Sequence, residues 1–186
     1  MTSILKVDTL QDSSGTGTPY ITGAVLQVKY FQLTTSQTET YSSTNTDQAI
    51  TNFVVNITPK SASSIIKIEA NMMFEWENSP WDTMWFFYRD TTKLGNTQAS
   101  PGSRRIGIAP SLPSHGNTTM NNDSTAEYAT LTYFDDPQTT SSIDYKLGVN
   151  SLGTNSIFIN RMIADNIDSS SYERGVSFIS ATEIGG

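Results

Sequence analysis

The chain has 186 residues, which is enough for one domain with a sizeable hydrophobic core. Its 11 Lys and Arg residues against 18 Asp and Glu residues give a net charge of −7, and no basic run occurs. This composition argues against a nucleic-acid partner, which requires clustered cations. The absence of cysteine excludes disulfides and thiolate metal sites, and we expect no cofactor. No apolar run approaches the roughly 20 residues of a membrane helix, so we expect no membrane insertion.

A short apolar segment opens the chain and precedes a linker. The apolar residues of this segment are Ile4, Leu5, Val7 and Leu10, and residues 11–19 are rich in Ser, Gly, Thr and Pro. A single short strand is not stable alone, so residues 1–19 must dock on their own domain, on symmetry mates or on a larger scaffold. We therefore separate an N-terminal arm, residues 1–19, from a globular domain, residues 20–186.

The globular domain reads as a succession of strands. Segments of alternating or continuous apolar residues, divided by turn residues, occur at 20–33, 38–41, 49–59, 66–76, 81–89, 126–134, 143–149, 156–162 and 175–184. No segment keeps a helical period over three turns. Many short strands with short turns predict an all-β protein, an antiparallel jelly-roll β-sandwich with an extended N-terminal arm.

The two central strands differ in how many of their faces are apolar. Residues 66–76 alternate between apolar and polar, which is typical of a half-buried strand. Residues 81–89 are apolar on both faces and need cover on two sides, while one sandwich core supplies only one. The sequence therefore predicts an interface between copies of the chain, with the core as the alternative place for Trp85. The predicted interface residues are Met84, Trp85, Phe86 and Tyr88.

The loops supply the candidates for contact with a receptor. Residues 96–123 form the longest irregular region, and loops of this length are often functional. They contain the only histidine and the only adjacent pair of basic residues, and two tryptophans flank the turn at 77–80. The candidate receptor contacts are Trp76, Trp81, Arg104, Arg105 and His115.

Catalytic residues are not expected. His115 has no anchoring acid nearby in sequence, as a catalytic base would require. Glycosidases use two carboxylates, and the candidate pairs are Glu75 with Glu77 and Asp135 with Asp136. The first pair is expected on an exposed strand face and the second in a turn, so we predict that the chain is not an enzyme.

A metal site is not expected either. Asp165, Asp168 and Glu173 cluster in sequence, but they lack the spacing of an EF-hand loop. Arg174 is available to neutralise part of this charge. We therefore interpret the cluster as a polar loop.

Three stretches resemble a known family: ILKVDTLQDSSGTG at the start, SSIIKIEANMMFEW with WFFYRDTTKLG in the centre, and SYERGVSFISATEIGG at the end. They are similar to small fibre-like or decoration-like virion proteins of tailed bacteriophages, of the marine cyanophage type. The resemblance implies a trimeric jelly roll like those of the C1q and TNF folds. Asp90-Thr91-Thr92 departs from the glycine turn that relatives often have, so a different turn type is expected there.

The resemblance leads to a functional hypothesis. We expect a homotrimeric structural protein on the surface of a virion, made in the host cytoplasm, that serves as a short fibre or decorates the head or tail. Ile4, Leu5, Val7 and Leu10 would anchor it to capsid or tail proteins, with the sandwich pointing outward. The alternative is a carbohydrate- or receptor-binding module that recognises a host-surface glycan, and a third hypothesis is a polysaccharide-degrading enzyme.

Overall fold

A computed structural model describes residues 22–41, 46–77, 83–95, 102–111, 126–150, 155–165, 167–168, 170 and 172–186. These residues form eleven strands and no helix, so the expected all-β class is confirmed. Accordingly, nothing in these ranges is a helix long and apolar enough to cross a membrane. The strands are β1 (Val25–Leu33), β2 (Gln37–Tyr41), β3 (Asp47–Ile57), β4 (Ile65–Trp76), β5 (Met84–Arg89), β6 (Thr92–Lys93), β7 (Ala109–Pro110), β8 (Glu127–Asp135), β9 (Ile143–Asn150), β10 (Asn155–Ile159) and β11 (Ser177–Ile184).

A six-stranded antiparallel sheet is built around β4, the longest strand. On one side β4 pairs with β8, and on the other side it pairs with β11 and then, near its end, with β10. β1 lies outside β11, and β2 lies outside β10. Residues 20–33 were predicted as one strand, but β1 starts at Val25 because the chain turns at Gly23, whose φ is 78°.

A second, five-stranded antiparallel sheet packs against one face of the six-stranded sheet. Its order is β3, β9 and β5, and both β6 and β7 pair with β5. A register shift interrupts the pairing of β3 with β9 between Ala49 and Val54. Within this bulge Asn52 has a φ of 57°, a conformation that asparagine tolerates better than most residues. Together the two sheets form the expected jelly-roll-like sandwich.

The core lies between the two sheets and consists of the side chains that alternate inward. At one end it contains an aromatic cluster in which the ring centroids of Phe74 and Trp85 are 5.0 Å apart and those of Trp76 and Trp85 are 6.3 Å apart. Tyr41 packs on Trp76 at 5.8 Å. The other inward residues include Phe53, Val55, Ile57, Ile66, Ile68, Phe87, Tyr145, Leu147, Ile179 and Ala181.

The carboxylate of Glu183 is buried at the opposite end of this core. Glu183 on β11 accepts hydrogen bonds from Gln27 Nε2 at 2.6 Å, Ser64 Oγ at 2.7 Å and the Lys60 backbone N–H at 2.7 Å. Burial alone raises the pKa of Glu183, but these donors together lower it below its ordinary value. The carboxylate therefore ties the connection between β3 and β4 to two strands of the six-stranded sheet.

Candidate assembly surface

The outer face of the six-stranded sheet, here called the open face, displays apolar side chains to solvent. By alternation along β4, Lys67, Glu69 and Asn71 point outward, opposite to Ile66, Ile68 and Ala70. Strand pairing places residues of β1, β8 and β11 beside them on the same side. The exposed apolar residues of this face are Val25, Val28, Tyr30, Tyr128, Phe134, Val176 and Phe178.

These residues fall into two groups at opposite edges of the face. The β1/β11 flank contains Val25, Val28, Tyr30, Val176 and Phe178, and the β8 flank contains Tyr128 and Phe134. Between the flanks runs a polar stripe on β4, in which Lys67 Nζ lies 2.8 Å from Glu69 Oε1. The face is therefore apolar at two edges and charged along its middle.

The exposed apolar area of this face is considerable. Tyr30 is 76%, Tyr128 61% and Phe134 59% exposed. With about 150–250 Å² per aromatic side chain, these three rings alone leave roughly 400 Å² uncovered. The valines and Phe178 enlarge this area, which is comparable to the about 300–600 Å² of the largest apolar patch of a typical monomer, a patch that is often functional. The open face thus has the composition of a contact surface.

The part of the sheet beyond the open face is covered by the connection between β10 and β11. Arg161 lies over the Phe158 ring at 4.7 Å, and the Ile163 backbone N–H donates to Glu75 Oε2 at 2.6 Å. Gly175 packs against Met73, since a side chain at 175 would collide with the Met73 sulfur. This cover buries Glu75 and Met73, while Tyr30, Tyr128 and Phe134 stay exposed.

The acidic cluster predicted as a polar loop lies in this connection. Asp165 pairs with Arg174 Nη2 at 2.6 Å and with Arg161 Nη1 at 3.3 Å. The hydrogen bond from Arg174 is the main reason why the pKa of Asp165 is lowered. Asp168 and Glu173 are exposed. Within the described ranges, no three His, Cys, Asp or Glu side chains come together in a way that could hold a metal ion.

The predicted interface on β5 requires a correction. Trp85 is 1% and Phe86 0% exposed in a single chain, so neither side chain can contact another copy in this conformation. Trp85 belongs to the core, which was the alternative prediction. Phe86 points outward on the five-stranded sheet, yet it is covered by Tyr88, by Lys93 and by the bare backbone of Gly148. The premise that β5 needs a neighbouring subunit was therefore wrong.

The two other predicted interface residues remain accessible in part. Met84 and Tyr88 are half-buried. Pro110 of β7 pairs with Met84, which places residues 107–110 beside the Met84 end of β5. A role of Met84 and Tyr88 in contacts between copies stays a prediction, and the open face offers far more exposed apolar surface.

The predicted receptor contacts are not brought together. Trp76 is 2% exposed in the aromatic cluster, so it cannot serve as a ligand platform, which corrects that prediction. Arg104 is exposed and Arg105 partly exposed, and their role stays a prediction. Trp81 and His115 lie outside the described residues. The same holds for the anchor residues Ile4, Leu5, Val7 and Leu10.

The two candidate carboxylate pairs occupy unlike environments. Glu75 is buried, while Glu77 is exposed and accepts a hydrogen bond from the Ser156 backbone N–H at 3.2 Å.

Asp135 is also buried, and its exposed neighbour Asp136 lies in the turn after β8. Asp135 accepts a hydrogen bond from the Tyr145 hydroxyl at 2.7 Å and pairs with Arg89 Nη1 at 3.1 Å. Burial, followed by this hydrogen bond, raises the pKa of Tyr145. The buried member of each pair is thus engaged in contacts within the chain.

The sequence did contain a signal for the residues of the open face. The criterion applied to residues 81–89, apolar side chains on both faces of one strand, also holds for 25–33 and 127–135. Tyr128 and Phe134 occupy the face of β8 that is otherwise formed by threonines, which made it look like a solvent face. Applying the criterion to all strands would have found Tyr30, Tyr128 and Phe134.

The described strands define an all-β, jelly-roll-like sandwich with one open apolar face. No protein-family model matches the chain, and no curated protein matches it. Among solved structures, a chain in the "Structure of infectious bursal disease virus Gx strain" is similar at 13% identity with a TM-score of 0.32. The match covers 86% of this chain but only 41% of that chain. We base no functional inference on a similarity at this level.

Proposed function

We propose that this chain is a structural subunit of a phage particle that assembles with copies of itself through the open face. The observation that carries the proposal is the presence of seven exposed large apolar residues on one side of the sandwich. Exposed apolar surface of this kind often marks a contact between proteins. Burial of this surface supplies the driving force for association.

We infer a closed ring of copies from the flanks together with the threefold symmetry that the sequence resemblance implies. The β1/β11 flank and the β8 flank lie at opposite edges of the same face, with the charged stripe of Lys67 and Glu69 between them. If each copy contacts one neighbour through its β1/β11 flank and a different neighbour through its β8 flank, the interface is heterologous, and such contacts can close into a ring. Three copies, as the sequence resemblance implies, is the smallest ring of this kind.

The N-terminal arm would attach this ring to the particle. Ile4, Leu5, Val7 and Leu10 are the apolar residues of the arm, and burying each of them would contribute about 1.5–3 kcal/mol before ordering costs. Three linked arms bind together more tightly than one, because each further contact forms at a high effective concentration. The scaffold would be a capsid or tail protein.

Charge substitution on each flank tests the ring. Tyr30→Asp and Phe134→Asp change exposed side chains, so each variant should fold but have the mass of a single chain in native mass spectrometry, while the wild type has the mass of three. Mixing the two variants should restore one intact contact, from the β8 flank of the first to the β1/β11 flank of the second, and give a two-chain species.

The matched control is Ile167→Asp. Ile167 is 95% exposed, lies in the connection between β10 and β11 and does not belong to either flank as defined above, so its variant should assemble like the wild type. A wild type that stays a single chain at all concentrations tested, or flank variants that assemble normally, would contradict the proposal.

Deletion of residues 1–11 tests the arm separately. We expect the truncated protein to keep the mass of the ring and to lose incorporation into particles in a complementation assay. Full incorporation of the truncated protein would show that the anchor lies elsewhere.

A further inference from the structure

A small depression lies on the outer face of the five-stranded sheet, on the side of the sandwich opposite to the open face. Its volume is about 280 Å³, which is close to the lower limit of small-molecule sites. It combines one aromatic ring with a cation, a carboxylate and a hydroxyl. The lining residues are Ala49, Tyr88, Asp90, Thr91 and Lys146.

The aromatic wall of the depression is held in place from below. Tyr88 meets Phe86 edge to face, with ring centroids 5.1 Å apart. Both rings lie on the backbone of Gly148, where a Cβ atom would be 2.5 Å from Phe86 Cε2 and 2.9 Å from Tyr88 Cε2. Lys93 Nζ lies 4.1 Å from the centre of the Phe86 ring and pairs with Asp47 at 2.9 Å. The position of the Tyr88 ring is therefore fixed before any ligand binds.

The turn at one side of the depression is also fixed. Asp90 has a φ of 53°, a left-handed conformation that costs free energy for any residue except glycine. Its backbone N–H donates to the Asp144 carbonyl at 2.8 Å, and its Oδ1 accepts from the Asp144 backbone N–H at 3.0 Å. Asp90 thus tethers the turn to β9, and Thr91 follows it at the depression.

The charges around the depression are balanced. Lys146 Nζ lies 3.5 Å from the Asp90 carbonyl oxygen and forms no ion pair within the described part of the chain. One ammonium and one carboxylate therefore line a site without net charge. Burial, and then the charge of Asp47, raises the pKa of Tyr88, so its hydroxyl stays protonated and can donate at neutral pH.

We propose that this depression binds one uncharged sugar ring of a surface polysaccharide. The apolar side of such a ring fits against Tyr88, and its hydroxyl groups can accept from Lys146 and donate to Asp90 or Thr91. The volume admits a single ring, which predicts weak binding per site and a gain from multiple copies. The site does not depend on the assembly proposal, because it lies on the other face of the sandwich.

The test uses the full chain and four uncharged probes, the methyl glycosides of glucose, galactose, mannose and rhamnose. Saturation-transfer NMR should detect at least one of them. Lys146→Met removes the ammonium but keeps the aliphatic stem, and it should weaken that signal about ten-fold or more. Tyr88→Ala should abolish it, with circular dichroism as the check that the variant is folded.

Tyr128→Ala is the matched control, since it removes an exposed tyrosine from the open face and should leave the signal unchanged. Absence of transfer to all four glycosides would overturn the proposal, as would an equal signal in the Lys146→Met and wild-type proteins. Free glucuronate serves as a charged fifth probe. Binding of glucuronate alone would also overturn the proposal, because that outcome would reflect simple attraction to a lysine. Loss of assembly in the Tyr30→Asp variant with sugar binding intact would separate this site from the proposed ring.

Discussion

The outer faces of the two sheets have similar sequence patterns, but their aromatic side chains are buried on one sheet and exposed on the other. On the five-stranded sheet, Phe86 points away from the core and is nevertheless completely buried. On the six-stranded sheet, Phe134 and Tyr30 also point away from the core and are mostly exposed. The difference lies in the neighbours: Phe86 has Tyr88, Lys93 and Gly148 around it, whereas threonines and the charged stripe surround Phe134.

β11 presents the same contrast within a single strand. Its inward side carries Glu183, a buried carboxylate, and its outward side carries Phe178, which is partly exposed. A strand shaped only for a solitary sandwich would place these two residue types the other way round. An outward-facing aromatic residue therefore indicates a contact surface only where no other part of the same chain covers it, and Phe86 is an example of one that is covered.

The largest expected effect is that of Phe86→Ala. A fully buried phenylalanine contributes through its area and its packing, so the free energy of unfolding should fall by about 3–5 kcal/mol in urea titrations. The matched control is Phe134→Ala, measured at a concentration where the chains are single, which should change it by about 0.5 kcal/mol or less. Equal losses in the two variants would remove the distinction between the faces.

Glu183→Gln should have the next largest effect. Because hydrogen bonds lower the pKa of Glu183 in the folded state, its carboxylate stabilises the fold above the unfolded pKa of about 4.3. This stability is lost as the pH falls through the folded pKa. The variant should lose about 1.5–3 kcal/mol at pH 7 and show a flatter decline between neutral and acid pH in thermal unfolding. If the stability of the variant falls towards acid pH as steeply as that of the wild type, groups other than Glu183 cause the loss.

Gly148→Ala tests how tightly the five-stranded sheet's outer face is closed. An added methyl group would collide with the Phe86 and Tyr88 rings, so overpacking should cost about 1–3 kcal/mol. If the collision is the cause, Phe86→Leu should be less harmful in the Gly148→Ala background than in the wild type. Additive losses in this double-mutant cycle would point instead to a change in the backbone.

Lys93→Met and Asp47→Asn should have the smallest effects. Lys93→Met keeps the aliphatic cover of Phe86 and removes the cation above the ring, which is worth about 0.5–2 kcal/mol at a partly buried site such as this one. Asp47→Asn removes the partner of Lys93 and should cost less, because exposed ion pairs contribute little. A larger loss in Asp47→Asn than in Lys93→Met would make the ion pair the principal contact.

Most of the strands were predictable from the sequence because apolar alternation is a local property. Residues 66–76 and 49–59 behave as expected, with Ile66, Ile68, Phe53 and Val55 facing the core. After β5 a turn type other than the glycine turn was expected. In this turn Asp90 adopts a left-handed backbone conformation. The receptor role of Trp76 was wrong because a tryptophan beside a turn can equally close the end of a core, and only the distance to Trp85 decides between the two.

The sequence by itself determined where most of the long strands lie, which class of fold they build and that some strand had to be apolar on both faces, because these depend on spacing along the chain. It did not reveal the short strands β6 and β7 or the start of β1 at Val25. Nor did it determine which of the strands with two apolar faces is covered. That depends on β6, Gly148 and Lys93 meeting over Phe86 and on the β10–β11 connection leaving Tyr30 and Phe134 exposed, contacts between residues far apart in sequence. Only the tertiary structure brings those residues together, and it moves the apolar contact surface from β5 to the opposite sheet.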